Sequence, residues 1–235
     1  MNKQNSTIMK LAETALLAAL CYVSFTFLQI KIPVPGGDAT SLHIGNTFCV
    51  LGALLLGGWY GGLAGSIGMT IADLMDPVYI TGAPKTFVLK LCIGLITGLV
   101  AHKIAKINET NDKKYVFKWS LIASIAGLAF NVIADPIVGY FYKQYILGQP
   151  QEVASILAKL SAGATFVNAI VSTILVVIIY NAVRPALIKA NLIHVYSNCR
   201  RMRNKEENNH LEKSEYKISE SSGMSEPCTA IESQI

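Results

Sequence analysis

The pattern that organises the chain is a stretch from Ala39 to Ala72 that contains no Asp, Glu, Lys or Arg. Midway it is interrupted by Gly57-Gly58-Trp59-Tyr60-Gly61-Gly62, and beyond it come Asp73 and Asp76, then Lys85 and Lys90 on either side of TFVL. A soluble core rarely needs so long a run without charge, and one membrane helix rarely needs so many glycines. Two short membrane helices joined by a tight turn, with polar groups at their far ends, account for both features. That layout is the layout of a binding site.

The same reading applied along the chain predicts further helices. Residues 7–30 are long enough to span a bilayer, and Ala15 and Ala19 give the small-x-x-x-small spacing at which helices approach closely, either within the molecule or against a partner. Residues 31–44, KIPVPGGDATSLHI, are not helical, because Pro33, Pro35, Gly36 and Gly37 forbid it. A connection of that length suits a lid or a wall of a site. Helices two and three are expected over 45–56 and 61–74, each shorter than a full span, with Gly61, Gly65 and Gly68 on one face of the third. An irregular loop, MDPVYITGAP, leads to a fourth helix over 85–104 and a fifth over 117–142, which carries Asn131, Asp135 and Pro136. A moderately polar loop over 143–159, which could contain a short surface helix, precedes a sixth helix over 160–183, which carries Asn168.

Composition agrees with a membrane setting. The chain is 52% hydrophobic and 15% charged, against about 25% charged in soluble domains. Residues 189–235 are polar and balance their basic against their acidic residues, so the net charge of +5 belongs to residues 1–188. The first part is expected to be the membrane domain and the second a disordered cytoplasmic tail. Lys and Arg gather at the N-terminus, between helices four and five, and after helix six, while the opposite loops hold only Lys31, Lys85, Lys143 and Lys159. The fold class expected is therefore an all-α integral membrane protein with six transmembrane helices and both termini cytoplasmic. The first apolar stretch lacks a convincing cleavage site and reads as a retained helix. No basic patch interleaved with aromatics points to nucleic acid, and five scattered cysteines (Cys21, Cys49, Cys92, Cys199, Cys228) point to neither a disulfide framework nor zinc.

With that orientation, His43, Asn46, Asp73, Asp76, Tyr79 and Lys85 converge at the outer side, joined by Asp135. Ionisable groups in a membrane mark a function or a paired structural ion. Asp73 and Asp76 share a helical face, as do Asn131 and Asp135. Asp73 or Asp76 could equally cap helix ends or pair with Lys85 or Lys90, and Asp76, directly before Pro77, suits a turn. His43 with two aspartates is too thin a ligand set for a metal. Gly82-Ala83-Pro84-Lys85-Thr86 lacks the glycine before lysine of an ATP-binding loop, and Ala64-Gly65-Ser66-Ile67-Gly68 lacks the first glycine of a nucleophile elbow. Neither ATP hydrolysis nor catalysis is indicated.

The stretch LHIGNTFCVLGALLLGGWYGGLAGSIGMTIADLMDPVY, followed by APKTF, resembles the substrate-binding membrane subunit (S component) of an energy-coupling factor (ECF) vitamin transporter of the riboflavin-type group. The resemblance covers residues 8–188. It implies a non-enzymatic subunit of a bacterial cell-membrane ABC-type importer that needs no cofactor. Such subunits capture a water-soluble vitamin or precursor outside the cell and deliver it through a transmembrane coupling subunit and two cytosolic ATPases. Riboflavin, pyridoxine and hydroxymethylpyrimidine-like heterocycles all remain in view. The implied pocket draws on the first loop and the outer ends of helices four to six. Taken with the polar cluster, the candidate contacts are His43, Asn46, Tyr79, Lys85, Asn131, Asp135, Tyr140 and Asn168. The resemblance assigns Ala15 and Ala19 to docking on the coupling subunit. Two other readings stand beside it: a solitary ion-coupled transporter using Asp73, Asp76 or Asp135, and a membrane scaffold whose tail recruits partners.

Overall fold

In the computed structural model, which describes residues 3–34, 38–110 and 112–190, the charge-free run becomes two antiparallel helices, α2 (Gly45–Leu56) and α3 (Gly58–Met75). The reversal between them takes a single residue, Gly57, whose φ of 97° is open to glycine and strained for other residues. The expected turn over 57–60 is thus mostly helix. Gly58 to Gly62 belong to α3 and are there for packing: a Cβ on Gly61 or Gly65 would collide with Ala53 or Cys49 of α2, and one on Gly68 with Ala18 of α1 (Lys3–Phe27). A second small face, Gly58 and Gly62, lies backbone to backbone against α4 (Ala83–Gly98) at Gly94 and Leu91. Small residues here let polar backbones approach and recover dispersion contact that lipid alone would not favour.

After α4 the helix widens into a π-turn, Leu99–Ile104. The chain then enters α5 (Lys113–Phe141), which also ends in a π-turn (Tyr142–Ile146), and finally α6 (Gln151–Lys189). Helix α6 begins at Gln151 rather than near residue 160. The segment read as loop is helical because Pro150 starts it and Ala154 and Leu157 are buried against the bundle. The polar tail after Ala190 lies outside the described residues.

The first connection is not a plain loop. β1 (Gln29–Val34) and β2 (Asp38–His43) form an antiparallel hairpin in register from Gln29↔His43 to Val34↔Asp38. Pro33, which rules out helix, is tolerated in this two-stranded ribbon because both strands are edges. The structure is mostly helical, with this hairpin as its strand element among the described residues.

Among the described residues, four stretches are long and apolar enough to cross a membrane: Thr7–Phe27, Ile80–Ile104, Lys113–Ile146 and Gln151–Lys189. The expected count of six is not reached on length. α2, about 18 Å long at 1.5 Å per residue, packs against α1, α3, α4 and α6. Its Cys49, Val50, Ala53 and Leu54 are fully buried. A helix shielded from lipid by its neighbours has no need of membrane length. Large apolar side chains instead point outward from α1 (Ile8, Leu11, Leu16), α5 (Ile133, Ile137) and α6 (Phe166, Ile174, Ile178), an arrangement suited to hydrocarbon.

Arg184, one of the basic residues expected to flank helix six, lies inside α6. It is buried, and its Nη2 donates to the carbonyls of Ile107 (2.9 Å) and Thr110 (3.0 Å), tying α6 to the segment between α4 and α5.

Candidate functional site

Opposite that end, the hairpin, the 76–82 segment and the turn after α5 meet over a cavity of about 140 Å³. His43, Asn46, Tyr79, Lys85, Asn131, Asp135 and Asn168 all line it; Tyr140 does not, packing edge-on against Phe141 at 5.4 Å instead, while Tyr142, just beyond it, does line it. Asp73, Lys90, Ser161 and Thr165 also line it. Ser161 and Thr165 carry no charge and lie on a helix with many polar positions, so only the fold singles them out.

Asp135 is the most heavily bonded group. Its Oδ1 accepts from Lys85 Nζ at 3.0 Å, and its Oδ2 accepts from the Ser161 hydroxyl. The Thr165 hydroxyl lies 3.2 Å from Oδ2 and 2.6 Å from the Ser161 carbonyl, so its one hydrogen serves one acceptor at a time. This cluster joins α4, α5 and α6, and it compensates a carboxylate that would be costly alone in a membrane.

Asp73 is buried, 3% exposed, with Thr86 as its hydrogen-bond partner. Asp76 has a different role. Its Oδ1 accepts from Val78 N at 3.1 Å, making the turn that its place before Pro77 suggests, and its Oδ2 pairs with Lys31 of β1. Partial burial would raise the Asp76 carboxyl, but the Lys31 and Val78 hydrogen bonds outweigh it and hold the group below its ordinary range. Lys31 also sits 5.5 Å from the Tyr79 ring centre. The pairing of Asp73 or Asp76 with Lys85 or Lys90 does not occur among the described residues; Lys31 and Asp135 take those places.

His43 packs edge-on against Phe25 at 4.6 Å, and its Nδ1 accepts from Gly45 N at 3.2 Å. The bond fixes the neutral tautomer with hydrogen on Nε2. Burial, assisted by the nearby Lys90 charge, pushes its pKa down to about 3.

Asn168 of α6 uses both ends of its amide on β2: Oδ1 accepts from His43 N and Nδ2 donates to Ser41 O, each at 3.0 Å. Residues two apart in a strand present these groups on the same edge, so the amide completes the outer edge of β2 as another strand would. Asn46 and Asn131 are 1% and 2% exposed, and their Oδ1 atoms have no partner among the described residues.

Ala15 and Ala19 lie at the exposed surface of α1, whereas Leu17, Cys21 and Phe25 face inward. The small-residue spacing is therefore not used for packing within the described residues.

A membrane-length bundle that is apolar outside and encloses a polar cavity under a hairpin is a membrane-embedded small-molecule-binding protein. The family model for the S component of the ECF-type riboflavin transporter matches residues 5–185, and the chain belongs to that family. The family is that of a transporter's substrate-binding subunit, not of an enzyme. The solved structure of ThiT from Listeria monocytogenes shares the fold, with a TM-score of 0.55 and 19% identity over 77% of this chain and 96% of that one. No curated protein sequence matches significantly.

Proposed function

We propose that the chain captures a water-soluble vitamin or vitamin precursor in the cavity beneath the β1–β2 hairpin and hands it to an ATPase-driven coupling module. The observation that carries this reading is the cavity itself. Seven side chains singled out from the sequence surround one space, and two of them, Asn46 and Asn131, keep buried carbonyl oxygens without partners among the described residues. Such orphan acceptors each cost about 1–3 kcal/mol, and a ligand donor would recover part of that cost.

The charge bias of the loops supports a cavity that opens outward with both termini in the cytoplasm of a bacterial cell. The exposed Ala15–Ala19 face of α1 supports docking on a transmembrane coupling subunit, with two cytosolic ATPases as the energy source. The family's description makes riboflavin the first candidate, and pyridoxine and hydroxymethylpyrimidine-like rings follow. Ion coupling is less well supported, since Asp135 is already committed to Lys85 and Ser161.

Native mass spectrometry of the chain purified in detergent from its host is expected to show a retained vitamin-sized ligand, and calorimetry its rebinding. Absence of any bound or rebinding vitamin would refute the reading. Asn131→Ala is expected to weaken binding by about 1–3 kcal/mol; unchanged affinity would remove Asn131 from the contact set.

A further inference from the structure

Lys90 stands apart from the other charged groups around the cavity. It is 8% exposed, lines the cavity, and makes no hydrogen bond or ion pair within 4.0 Å through its side chain with any described residue. Lys85 is held by Asp135, and Asp73 by Thr86. The helix-borne charges around the cavity balance, two carboxylates against two lysines, with Lys143 on the turn outside α5. A ligand carrying net charge would upset that balance in a low-dielectric site. Among the described residues, what the wall lacks is a partner for one strong donor, Lys90, and for two acceptors, the Oδ1 atoms of Asn46 and Asn131.

We propose that Lys90 is a specificity-determining contact, and that the substrate is a neutral nitrogen heterocycle with acceptor and donor groups on its edge. A ring carbonyl or ring nitrogen accepts from Lys90, and N–H groups donate to Asn46 and Asn131. The proposal rests on the vitamin-binding reading above and narrows it. An amino group beside a ring nitrogen, as in an aminopyrimidine, supplies one acceptor and two N–H donors and meets the requirement; an imide edge, as in riboflavin, supplies acceptors and one N–H, which serves one of the two amides. Pyridoxine, whose neutral ring has no N–H donor, meets it less well, and a phosphorylated vitamin meets it poorly. Leaving buried polar groups unpaired is what lets a site reject a near-isostere.

The test uses the full chain in detergent and calorimetric titration with riboflavin, 4-amino-5-hydroxymethyl-2-methylpyrimidine, pyridoxine and flavin mononucleotide. N-methylated forms of the first two that lack every N–H donor on that edge, the imide-N-methyl flavin and the N,N-dimethylamino pyrimidine, are included. Riboflavin or the aminopyrimidine is expected to bind most tightly, and its N-methylated form about 10-fold or more weakly. Lys90→Met, close in length and apolar, is expected to weaken binding by a similar factor while leaving the unliganded melting temperature unchanged or higher. The N-methyl comparison uses wild-type protein, so it stands even if Lys90→Met fails to fold. Tight binding that is insensitive to both changes, or strongest binding by flavin mononucleotide or pyridoxine, overturns this inference alone. Failure of every compound to bind wild-type protein overturns the vitamin-binding reading and this inference with it.

Discussion

Replacing Asn168 by Ala should release the hairpin from the bundle without unfolding the helices. The substitution removes both amide bonds to β2 and leaves the His43 N–H and the Ser41 carbonyl facing the space vacated. Each orphaned group costs about 1–3 kcal/mol unless water reaches it. The vacated space adjoins the cavity, where water can enter, so the low end of the combined range of about 2–6 kcal/mol, about 2–3 kcal/mol, is expected for local opening. At 1.4 kcal/mol per factor of ten, that corresponds to about 30- to 150-fold less protection of the His43 amide. Hydrogen exchange read by mass spectrometry on peptides covering residues 38–43 measures it, with α2 peptides as the internal control. Asn168→Asp adds a second arm: it keeps the acceptor for His43 N but puts a carboxylate against the Ser41 carbonyl, so it should restore little protection. Unchanged exchange of residues 38–43 in Asn168→Ala would refute the role assigned to the amide. Equal loss of protection in α2 would show that the helices, not the hairpin, depend on it.

Other outcomes follow from the same geometry. Lys85→Met leaves Asp135 without its cation and should destabilise the protein by about 2–3 kcal/mol, less than a fully buried pair because both partners keep some exposure. Adding Asp135→Asn should recover part of the loss in a thermal unfolding assay, and no recovery would dissolve the pair's importance. Because the closed hairpin holds His43 neutral, with a pKa of about 3 against about 6.5 when opened, the opened form binds a proton that the closed form refuses. Closure therefore weakens as pH falls below about 6.5, by up to about 1.4 kcal/mol per unit. Exchange of residues 38–43, corrected for intrinsic rates, should show this slope in wild type and lose it in His43→Phe; a flat wild-type profile counts against it. Ala15→Trp should leave ligand affinity intact and block uptake by the reconstituted transporter, and full uptake would exclude that face as the dock.

How much is legible in the chain differs between elements. α2 and α3 are legible because a charge-free run split by glycines fits a pair of short packed helices and little else, and α2 falls where the pattern places it. The hairpin is legible only as an absence of helix: Pro33 excludes one conformation without choosing another, and pairing depends on a register that no short pattern specifies. The start of α6 escapes a local reading because a polar amphipathic turn looks like loop until Ala154 and Leu157 find something to pack against.

The sequence by itself determined that the chain lies in a membrane, that its polar groups gather at one end of its helices, and which family it resembles. Those properties are written in composition and local order, which lipid reads directly through hydropathy. Only the tertiary structure decided who pairs with whom. Asp135 is 50 residues from Lys85, and Asn168 is 125 from His43. Ion pairs and hydrogen bonds act over about 3 Å, so their partners are chosen by packing. For the same reason Asp76 turned from a site candidate into a turn and a hairpin latch, and Lys90, which no motif distinguishes, became a cavity lysine whose side chain makes no hydrogen bond or ion pair with the described residues.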